Sequence, residues 1–150
     1  MTAPASSRSD PQALAEAVAQ RMFANDAASR ALGMTIAAIG PGTARVTMTV
    51  RADMLNGFAI CHGGLITTLA DSAFAFACNS RNRLTVAAGI AVDLLAPSHL
   101  GDRLAAEAHE IFQRGRNGIY DITVTNQRGE VVATMRGRSH TVRDKTVMEQ

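Results

Sequence analysis

The segment that most constrains the fold is an apolar run near the middle of the chain, GGLITTLADSAFAFACNS (63–80). Its apolar residues cover most of a helix's circumference, which is typical of a helix buried on nearly all sides. These residues are Leu65, Ile66, Leu69, Ala70, Ala73, Phe74, Phe76 and Ala77. A helix from about Gly64 to Ser80 is roughly 25 Å long, close to the length of a seven- or eight-residue strand. One sheet could therefore wrap around it completely.

Six strand-like runs flank this helix, two before it and four after it. The first two, MTIAAI (34–39) and TARVTMTV (43–50), alternate with period two and are joined by a Gly-Pro-Gly turn, as in a hairpin. The four later runs span residues 86–96, 102–114, 118–126 and 131–142. Turn signals at Asn117-Gly118 and at 127–129 predict hairpins between the last three runs.

The N-terminal region has the pattern of a helix. Ser9-Asp10-Pro11 places a capping residue before a proline. Apolar residues then follow at helical spacing, at Leu14, Val18, Met22 and Phe23. The whole pattern predicts an α+β fold, in which an antiparallel sheet of about six strands wraps around a long central helix and a helical segment precedes the first strand.

The chain has the size and composition of one ordinary domain. Its 150 residues, with 47% hydrophobic content, can bury a real core, so we expect a single domain over 1–150 with disordered tails at 1–9 and 144–150. The first ten residues are polar, and no later run reaches the ~18 uncharged apolar residues that span a bilayer. Two cysteines are too few for a disulfide framework. These features predict a cytoplasmic protein with reduced thiols.

The charge pattern favours a small phosphorylated ligand over a nucleic acid. The net charge is +2, from 14 arginines and one lysine against 13 acidic residues. Nucleic-acid-binding proteins of this size usually have a denser basic face and stacking aromatic residues, whereas this chain has no Trp and one Tyr. Arg114 and Arg116 flank the turn before the fifth strand, and from charge alone we expect them to contact ligand phosphates. Surface solvation is the alternative for any single arginine.

Asp71 is the one charged residue in the apolar helix. No Lys, Arg or His lies three or four residues from it, and burial of an unpaired charge costs several kcal/mol. One interpretation is a carboxylate bonded to backbone or water where the helix reaches the surface. The other is a carboxylate in a partly dry cleft, where it is a stronger base or nucleophile than in water.

The loop before the helix favours the second interpretation. His62-Gly63-Gly64 places unobstructed backbone at a helix N-terminus, where free N–H groups and the helix dipole can hold an oxygen that gains negative charge. Asn56 adds an amide that could hold a carbonyl or the loop itself. Taken alone, the glycine pair could also serve only the turn.

Two other uses of this loop are disfavoured. Cys61 and His62 are neighbours in sequence, and a catalytic Cys and His normally meet from distant segments. A metal site built on Cys61, His62 and Cys78 lacks a convincing fourth ligand. We therefore expect neither a cysteine nucleophile nor a metal.

The run MLNGFAICHGGLITTLADSAFAFACNS, followed by VDLLAPSHLGD, GIYDITVTNQ and RGRSH, resembles the phenylacetate-degradation (PaaI-type) thioesterases of the hotdog-fold superfamily. The resemblance covers about Phe23 to Thr141. It implies a hotdog fold and hydrolysis of acyl-CoA thioesters, typically phenylacetyl-CoA and its ring-hydroxylated forms, without a metal or other cofactor. Two alternatives stay open: a thioesterase acting on medium- or long-chain fatty acyl-CoA, and an acyl-CoA-binding protein without turnover.

The resemblance also implies roles for individual residues. Asp71 would activate water or attack the thioester carbon, and the Gly63 backbone N–H would polarise the thioester carbonyl. Asn56 and His62 would orient the thioester and support the departing thiolate. The chain departs from the pattern at Ala91, two residues before Asp93 in the following strand, where related thioesterases place a Ser or Thr that positions the water.

The spacing of Gly63 and Asp71 predicts a shared active site. Eight residues along a helix span roughly 12 Å, whereas a carboxylate acting on a carbonyl held at Gly63 must come within about 3 to 3.5 Å of the carbon. If both residues act, a second copy of the chain must supply one of them, which predicts a homodimer with composite active sites. The resemblance further implies a homotetramer, formed as a dimer of dimers.

Overall fold

Two helices begin the part of the chain that the structure, a computed structural model, describes, namely residues 10–150. Helix α1 (Pro11–Asn25) starts where Asp10 accepts a hydrogen bond from the Gln12 backbone N–H at 3.0 Å. Helix α2 (Ala27–Ala31) follows directly, so the predicted N-terminal helical segment is confirmed. None of the helices in this part of the chain has the length and apolarity needed to cross a membrane.

Within residues 10–150, six strands form one antiparallel sheet. In chain order they are β1 (Thr35–Gly40), β2 (Thr43–Thr49), β3 (Thr85–Leu94), β4 (Arg103–Arg114), β5 (Asn117–Thr125) and β6 (Val131–Thr141). Across the sheet the order is β1-β2-β4-β5-β6-β3, and each neighbouring pair is antiparallel. The long helix α3 (Gly63–Asn79) lies between β2 and β3 in the chain and packs against the sheet. The predicted α+β fold is confirmed.

The contact between α3 and the sheet forms the core. Phe74 of α3 is buried, and its ring packs against that of Tyr120 on β5 with 5.4 Å between the centroids. Gly137 of β6 allows this approach, because a Cβ at position 137 would lie 2.8 Å from the Phe74 ring. This contact positions α3, which carries both Gly63 and Asp71.

One stripe along α3 stays uncovered, contrary to our prediction that the sheet wraps the helix completely. The residues of this stripe are partly or fully exposed and recur at helical spacing: Gly63, Gly64, Thr67, Thr68, Asp71, Ala75 and Cys78. Most of them are small or polar, so little apolar surface is left in water. Asp71 therefore lies in an open stripe and not in the dry core.

The turn between β4 and β5 lies two residues earlier than predicted. Arg114 pairs with Asn117 across the hairpin, so the turn is Gly115-Arg116 and Gly118 belongs to β5. Gly115 has φ +58°, a left-handed conformation that glycine adopts without strain. The second glycine is used for packing, since a Cβ at Gly118 would lie 2.5 Å from the Gln113 side chain and 2.6 Å from that of Ser139.

The C-terminal residues pack against the rest of the chain, although we expected a disordered tail at 144–150. The Lys145 carbonyl accepts a hydrogen bond from the Leu84 N–H at 3.0 Å, and the Met148 N–H donates to the Asn82 side chain at 2.9 Å. Val147 is buried. The other predicted tail, residues 1–9, lies outside the described residues.

Strand β3 is an exposed edge of the sheet, paired on one side only, with β6. Four apolar side chains on or next to it are between 44% and 60% exposed: Val86, Ile90, Leu94 and Leu95. A long edge strand with exposed apolar side chains is a site for pairing with another chain.

Candidate active site

Asn56 holds the loop that leads into α3. Its side-chain oxygen accepts hydrogen bonds from the backbone N–H groups of Phe58 (2.9 Å) and Ile60 (3.4 Å). Its backbone N–H donates to the Ile60 carbonyl at 2.8 Å. Of the two roles expected for Asn56, holding the loop is therefore observed. Its side-chain nitrogen has no hydrogen-bond partner among the described residues, which leaves it available to a ligand.

The first turn of α3 leaves one backbone donor unused. His62 caps the helix, because its Nδ1 accepts a hydrogen bond from the Gly64 N–H at 3.0 Å. The Leu65 and Ile66 N–H groups donate to the His62 carbonyl at 2.9 and 3.3 Å. Within residues 10–150, the Gly63 N–H has no such partner. A free N–H at the positive end of a helix dipole is suited to stabilise a developing oxyanion.

The cap also determines which nitrogen of the His62 ring can donate. Nδ1 is the acceptor, so in the neutral ring the proton is on Nε2. His62 is exposed, so this N–H can reach a ligand. The Cys61 thiol contacts the His62 carbonyl, at 3.7 Å, and its pKa is raised by burial. These contacts suit His62 to hydrogen bonding and not to deprotonating its neighbour.

Asn56 and Gly63 line one cavity of about 330 Å³. Much of the opposite wall is the segment 94–98, which follows β3. Leu94 lies so close to Gly63 that a Cβ at position 63 would collide with Leu94 Cδ1, so this position requires glycine or a shift of the leucine. We did not assign segment 94–98 to the site from the sequence, although it lies in the VDLLAPSHLGD motif.

Asp71 lies in a different cavity of the same chain, with a volume of about 300 Å³. Side chains from α1, α3, β3 and the C-terminal segment surround it, among them Met22, Phe74, Cys78, Val86, Ala87 and Val147. One chain thus brings together Asn56, His62 and Gly63, but not Asp71. The separation is set by α3, along which Gly63 and Asp71 lie about 12 Å apart.

Burial raises the pKa of the Asp71 carboxyl above its ordinary value, and no charge or hydrogen bond from the described residues offsets this effect. Asp121 shows the opposite behaviour, because the Arg136 guanidinium, bonded to it at 2.7 Å, lowers its pKa. Of the two partners in the alternative interpretation, backbone or water, no backbone group within residues 10–150 is bonded to the Asp71 carboxylate. A carboxylate in such surroundings is a better proton acceptor than one in water.

We expect the pH dependence of kcat/KM to report this raised pKa. As the pH falls through it, the carboxylate is protonated and can no longer act as a base, so the acidic limb should lie above the ordinary Asp value of about 3.9. The His62→Ala variant should keep the limb, because His62 does not accept the proton. A limb at about pH 6.5 that disappears in His62→Ala would instead identify His62 as the base.

Three residues at the start of β3 line the Asp71 cavity within one chain: Thr85, Val86 and Ala87. Ala87 lines this cavity, whereas Ala91 does not. The pairing of β3 with β6 shifts register between Ala87 and Gly89, and such a bulge changes the face on which later residues lie. The Thr85 hydroxyl also borders the cavity but is hydrogen bonded within the sheet. Among the described residues there, Asp71 keeps its oxygens free to hold a water.

Cys78 borders the Asp71 cavity but is not suited to be a nucleophile. Burial, together with the nearby Asp71 charge, raises the pKa of its thiol to about 12. At neutral pH it is a thiol and not the reactive thiolate. Its position two turns after Asp71 makes it part of the cavity wall.

Arg114 and Arg116 lie at the same turn but have different surroundings. Both are exposed at the β4–β5 turn, but Arg116 lines a third cavity of about 370 Å³ to which Arg114 does not contribute. Arg83, Arg143 and Lys145 line the same cavity. No pattern in the sequence links these residues, because they come from separate segments.

The chain matches the family model of the thioesterase superfamily over residues 58–133, a range that includes Gly63 and Asp71. It is 47% identical over 124 residues to the acyl-coenzyme A thioesterase PaaI of Escherichia coli K12, covering 83% of this chain and 89% of that protein. Its structure is similar to that of the E. coli PaaI protein from the phenylacetic acid degradation operon, with a TM-score of 0.89, 44% identity and coverage of 91% and 99%. A Streptococcus mutans UA159 protein solved with acetyl-CoA matches with a TM-score of 0.72, 25% identity and coverage of 75% and 91%.

Proposed function

Because this chain belongs to the thioesterase superfamily, we propose that it hydrolyses acyl-CoA thioesters and that the acyl group is phenylacetyl or a ring-hydroxylated phenylacetyl. Its sheet and central helix form the hotdog fold. The observation that carries the proposal is the pair of uncommitted groups on α3, the Gly63 N–H and the Asp71 carboxylate. An oxyanion donor and a base are the two groups that hydrolysis of a thioester needs.

In the proposed mechanism, the thioester carbonyl accepts a hydrogen bond from the Gly63 N–H, which stabilises the charge that develops on its oxygen. Asp71 takes a proton from the attacking water. The tetrahedral intermediate then expels the CoA thiolate, which leaves readily and receives that proton. Hydrogen bonds from Asn56 Nδ2 and His62 Nε2 orient the thioester and support the thiolate.

Direct attack by Asp71 is the alternative chemistry at the same position. It would form a mixed anhydride between Asp71 and the acyl group, which water would then hydrolyse. Repeated turnover in ¹⁸O-labelled water distinguishes the two routes by mass spectrometry of the protein. Label in the Asp71 peptide would indicate attack by the carboxylate, with water then adding to Asp71 Cγ. Because water adding to the acyl carbon of the anhydride labels only the released acid, as direct attack by water also does, rapidly quenched protein is then analysed for an acyl adduct on the Asp71 peptide. Such an adduct would indicate the anhydride route, and its absence would indicate direct attack by water.

We also propose that two copies of the chain pair along β3 and share their active sites. Two-fold pairing of this edge strand with its copy over its whole length would place Leu94 of one chain opposite the Thr85–Val86 end of the other. Leu94 packs on Gly63, and Val86 shares a cavity with Asp71. Such pairing would therefore bring Gly63 of one chain towards Asp71 of the other. It would also cover the exposed apolar side chains of β3.

The larger assembly and the location rest on the family resemblance. We propose that two dimers join into a tetramer and that the protein acts in the cytoplasm. Sedimentation velocity tests the assembly, with an expected mass of four chains. A concentration-independent mass of one chain would contradict both the tetramer and the shared site.

We expect free-thiol release to be fastest with phenylacetyl-CoA or a hydroxyphenylacetyl-CoA among a panel of acyl-CoA thioesters. The panel should include acetyl, medium-chain and long-chain fatty acyl groups at matched concentrations, with kcat/KM as the compared quantity. A preference for the fatty acyl groups would change the substrate but keep the reaction. Tight binding of every thioester without thiol release would contradict the enzymatic function.

A further inference from the structure

Four cationic side chains line the third cavity: Arg83, Arg116, Arg143 and Lys145. They come from the residues before β3, the β4–β5 turn and the segment after β6. Asp144 is the one carboxylate residue among those lining this cavity, so four positive charges and one negative charge leave a net charge of +3. A concave site with this excess attracts anions.

None of these four cations forms a salt bridge within residues 10–150. Five arginines elsewhere each have a carboxylate partner: Arg45, Arg51, Arg81, Arg128 and Arg136. Arg83 instead donates to the Gly115 carbonyl at 3.3 Å, a contact that adds no negative charge. Cations that lie near one another without a salt-bridge partner repel, so the arrangement favours a bound anion that neutralises the net positive charge of the cavity.

Thr146 also lines this cavity. Its Oγ1 is buried and has no hydrogen-bond partner among the described residues. A buried hydroxyl without a partner destabilises the folded state.

The cationic cavity lies next to the cavity that contains Asp71. Residues that are neighbours in the chain line different cavities. Arg83 and Thr146 line the cationic cavity, whereas Leu84 and Val147, which follow them directly, line the Asp71 cavity. Backbone hydrogen bonds of Leu84 join the segments on either side of this shared wall, at 2.8 and 3.0 Å. The two cavities are therefore adjacent, on either side of the segments that contain Leu84 and Val147.

We propose that the cationic cavity binds the phosphate groups of the CoA portion of the substrate while the thioester lies at Asp71. A CoA thioester carries a diphosphate and a 3′-phosphate at one end and the reactive carbonyl at the other, joined by a flexible arm. Arginine and lysine are the side chains best suited to phosphate oxygens. The inference rests on the proposed function and selects Arg116, with Arg83, Arg143 and Lys145, for the site.

The Arg116→Gln/Arg143→Gln variant tests the site. It should raise KM for phenylacetyl-CoA about 10- to 100-fold and change kcat by less than about twofold, because it removes binding that is equal in ground and transition states. The phenylacetyl thioester of N-acetylcysteamine, which has no phosphate, should be hydrolysed at the wild-type kcat/KM. Arg45→Gln removes one positive charge at a distant strand and serves as the control, with no change for either substrate.

The thioester of dephospho-CoA identifies the group that is bound. If the variant and wild type have the same KM for this substrate, the cavity binds the 3′-phosphate; if the difference persists, it binds the diphosphate. An unchanged KM for phenylacetyl-CoA, or an equal loss with the N-acetylcysteamine thioester, would overturn the proposal. Wild-type protein that hydrolyses neither substrate would contradict the proposed function instead. In that case the cavity can still be tested by measuring the Kd of CoA by calorimetry. If the site is correct, the Arg116→Gln/Arg143→Gln variant should bind CoA about 10-fold or more weakly than wild type.

Discussion

Asp71→Asn should lower kcat by about 100-fold or more while the fold is kept. Asparagine has nearly the size and shape of aspartate, but its amide cannot accept the proton of the attacking water. Initial rates of thiol release from phenylacetyl-CoA measure the effect. Asp121→Asn is the matched control, because it removes a carboxylate that is paired with Arg136 and should leave kcat unchanged. A wild-type kcat in Asp71→Asn would exclude the proposed mechanism.

The same variant should unfold at a higher temperature than wild type at neutral pH. Burial raises the pKa of Asp71 in the folded state above its unfolded value, so at neutral pH the ionised carboxylate destabilises the fold. The neutral amide removes this cost. As the pH falls through the raised pKa, wild type is protonated as well and the difference in Tm should shrink. An equal or lower Tm at neutral pH would contradict the origin of the pKa shift.

Mixing two inactive variants should restore about a quarter of wild-type activity. Asp71→Ala chains keep Gly63, and Gly63→Pro chains keep Asp71. If chains pair randomly, half of the dimers are mixed, and each mixed dimer has one intact site of two under two-fold symmetry. The experiment is co-refolding followed by thiol release, with mixed dimers demonstrated by mass spectrometry. No recovery in demonstrated mixed dimers would show that the active site does not combine two chains in this way.

The choice of proline at position 63 follows from the geometry of the helix start. Proline is well tolerated in the first turn of a helix, and His62, with φ −59° and ψ 128°, already has the conformation that favours a following proline. Gly63→Pro therefore removes the N–H with little change of backbone. Its ring does collide with Leu94, so Gly63→Ala, which introduces the same Cβ but keeps the N–H, is the matched control. The proline variant should be slower than the alanine variant by about 100-fold, the usual effect of losing one oxyanion donor.

The local structure around the site could be predicted from the sequence because it depends on residues close together in the chain. The apolar periodicity of α3 and the alternation of the strands gave the helix and sheet that are observed. The eight-residue spacing of Gly63 and Asp71 predicts their separation of about 12 Å along one helix, and both residues lie on α3. The Asn56 loop and the glycine pair likewise lie within a few residues of the groups they position.

Predictions from local patterns were wrong where packing against residues distant in the chain determines the structure. Asn117-Gly118 is a good hairpin turn by composition, but Gly115 makes the turn, because Gly118 is needed where Gln113 and Ser139 leave no room for a Cβ. Residues 144–150 have the composition of a tail, but Val147 finds an apolar site beside Leu84. Neither packing partner is visible in the segment itself.

The amino-acid sequence was sufficient to predict one helix that begins at a glycine pair and carries, about 12 Å further along, a carboxylate without a charged partner. Only the tertiary structure decided which residues surround each of them: Leu94 over Gly63, and Ala87 beside Asp71. It also decided that Arg83, Arg116, Arg143 and Lys145 line one cavity. The physical reason is that backbone periodicity is a property of neighbouring residues, whereas a cavity is formed by side chains whose distances are set by strand order, register and bulges.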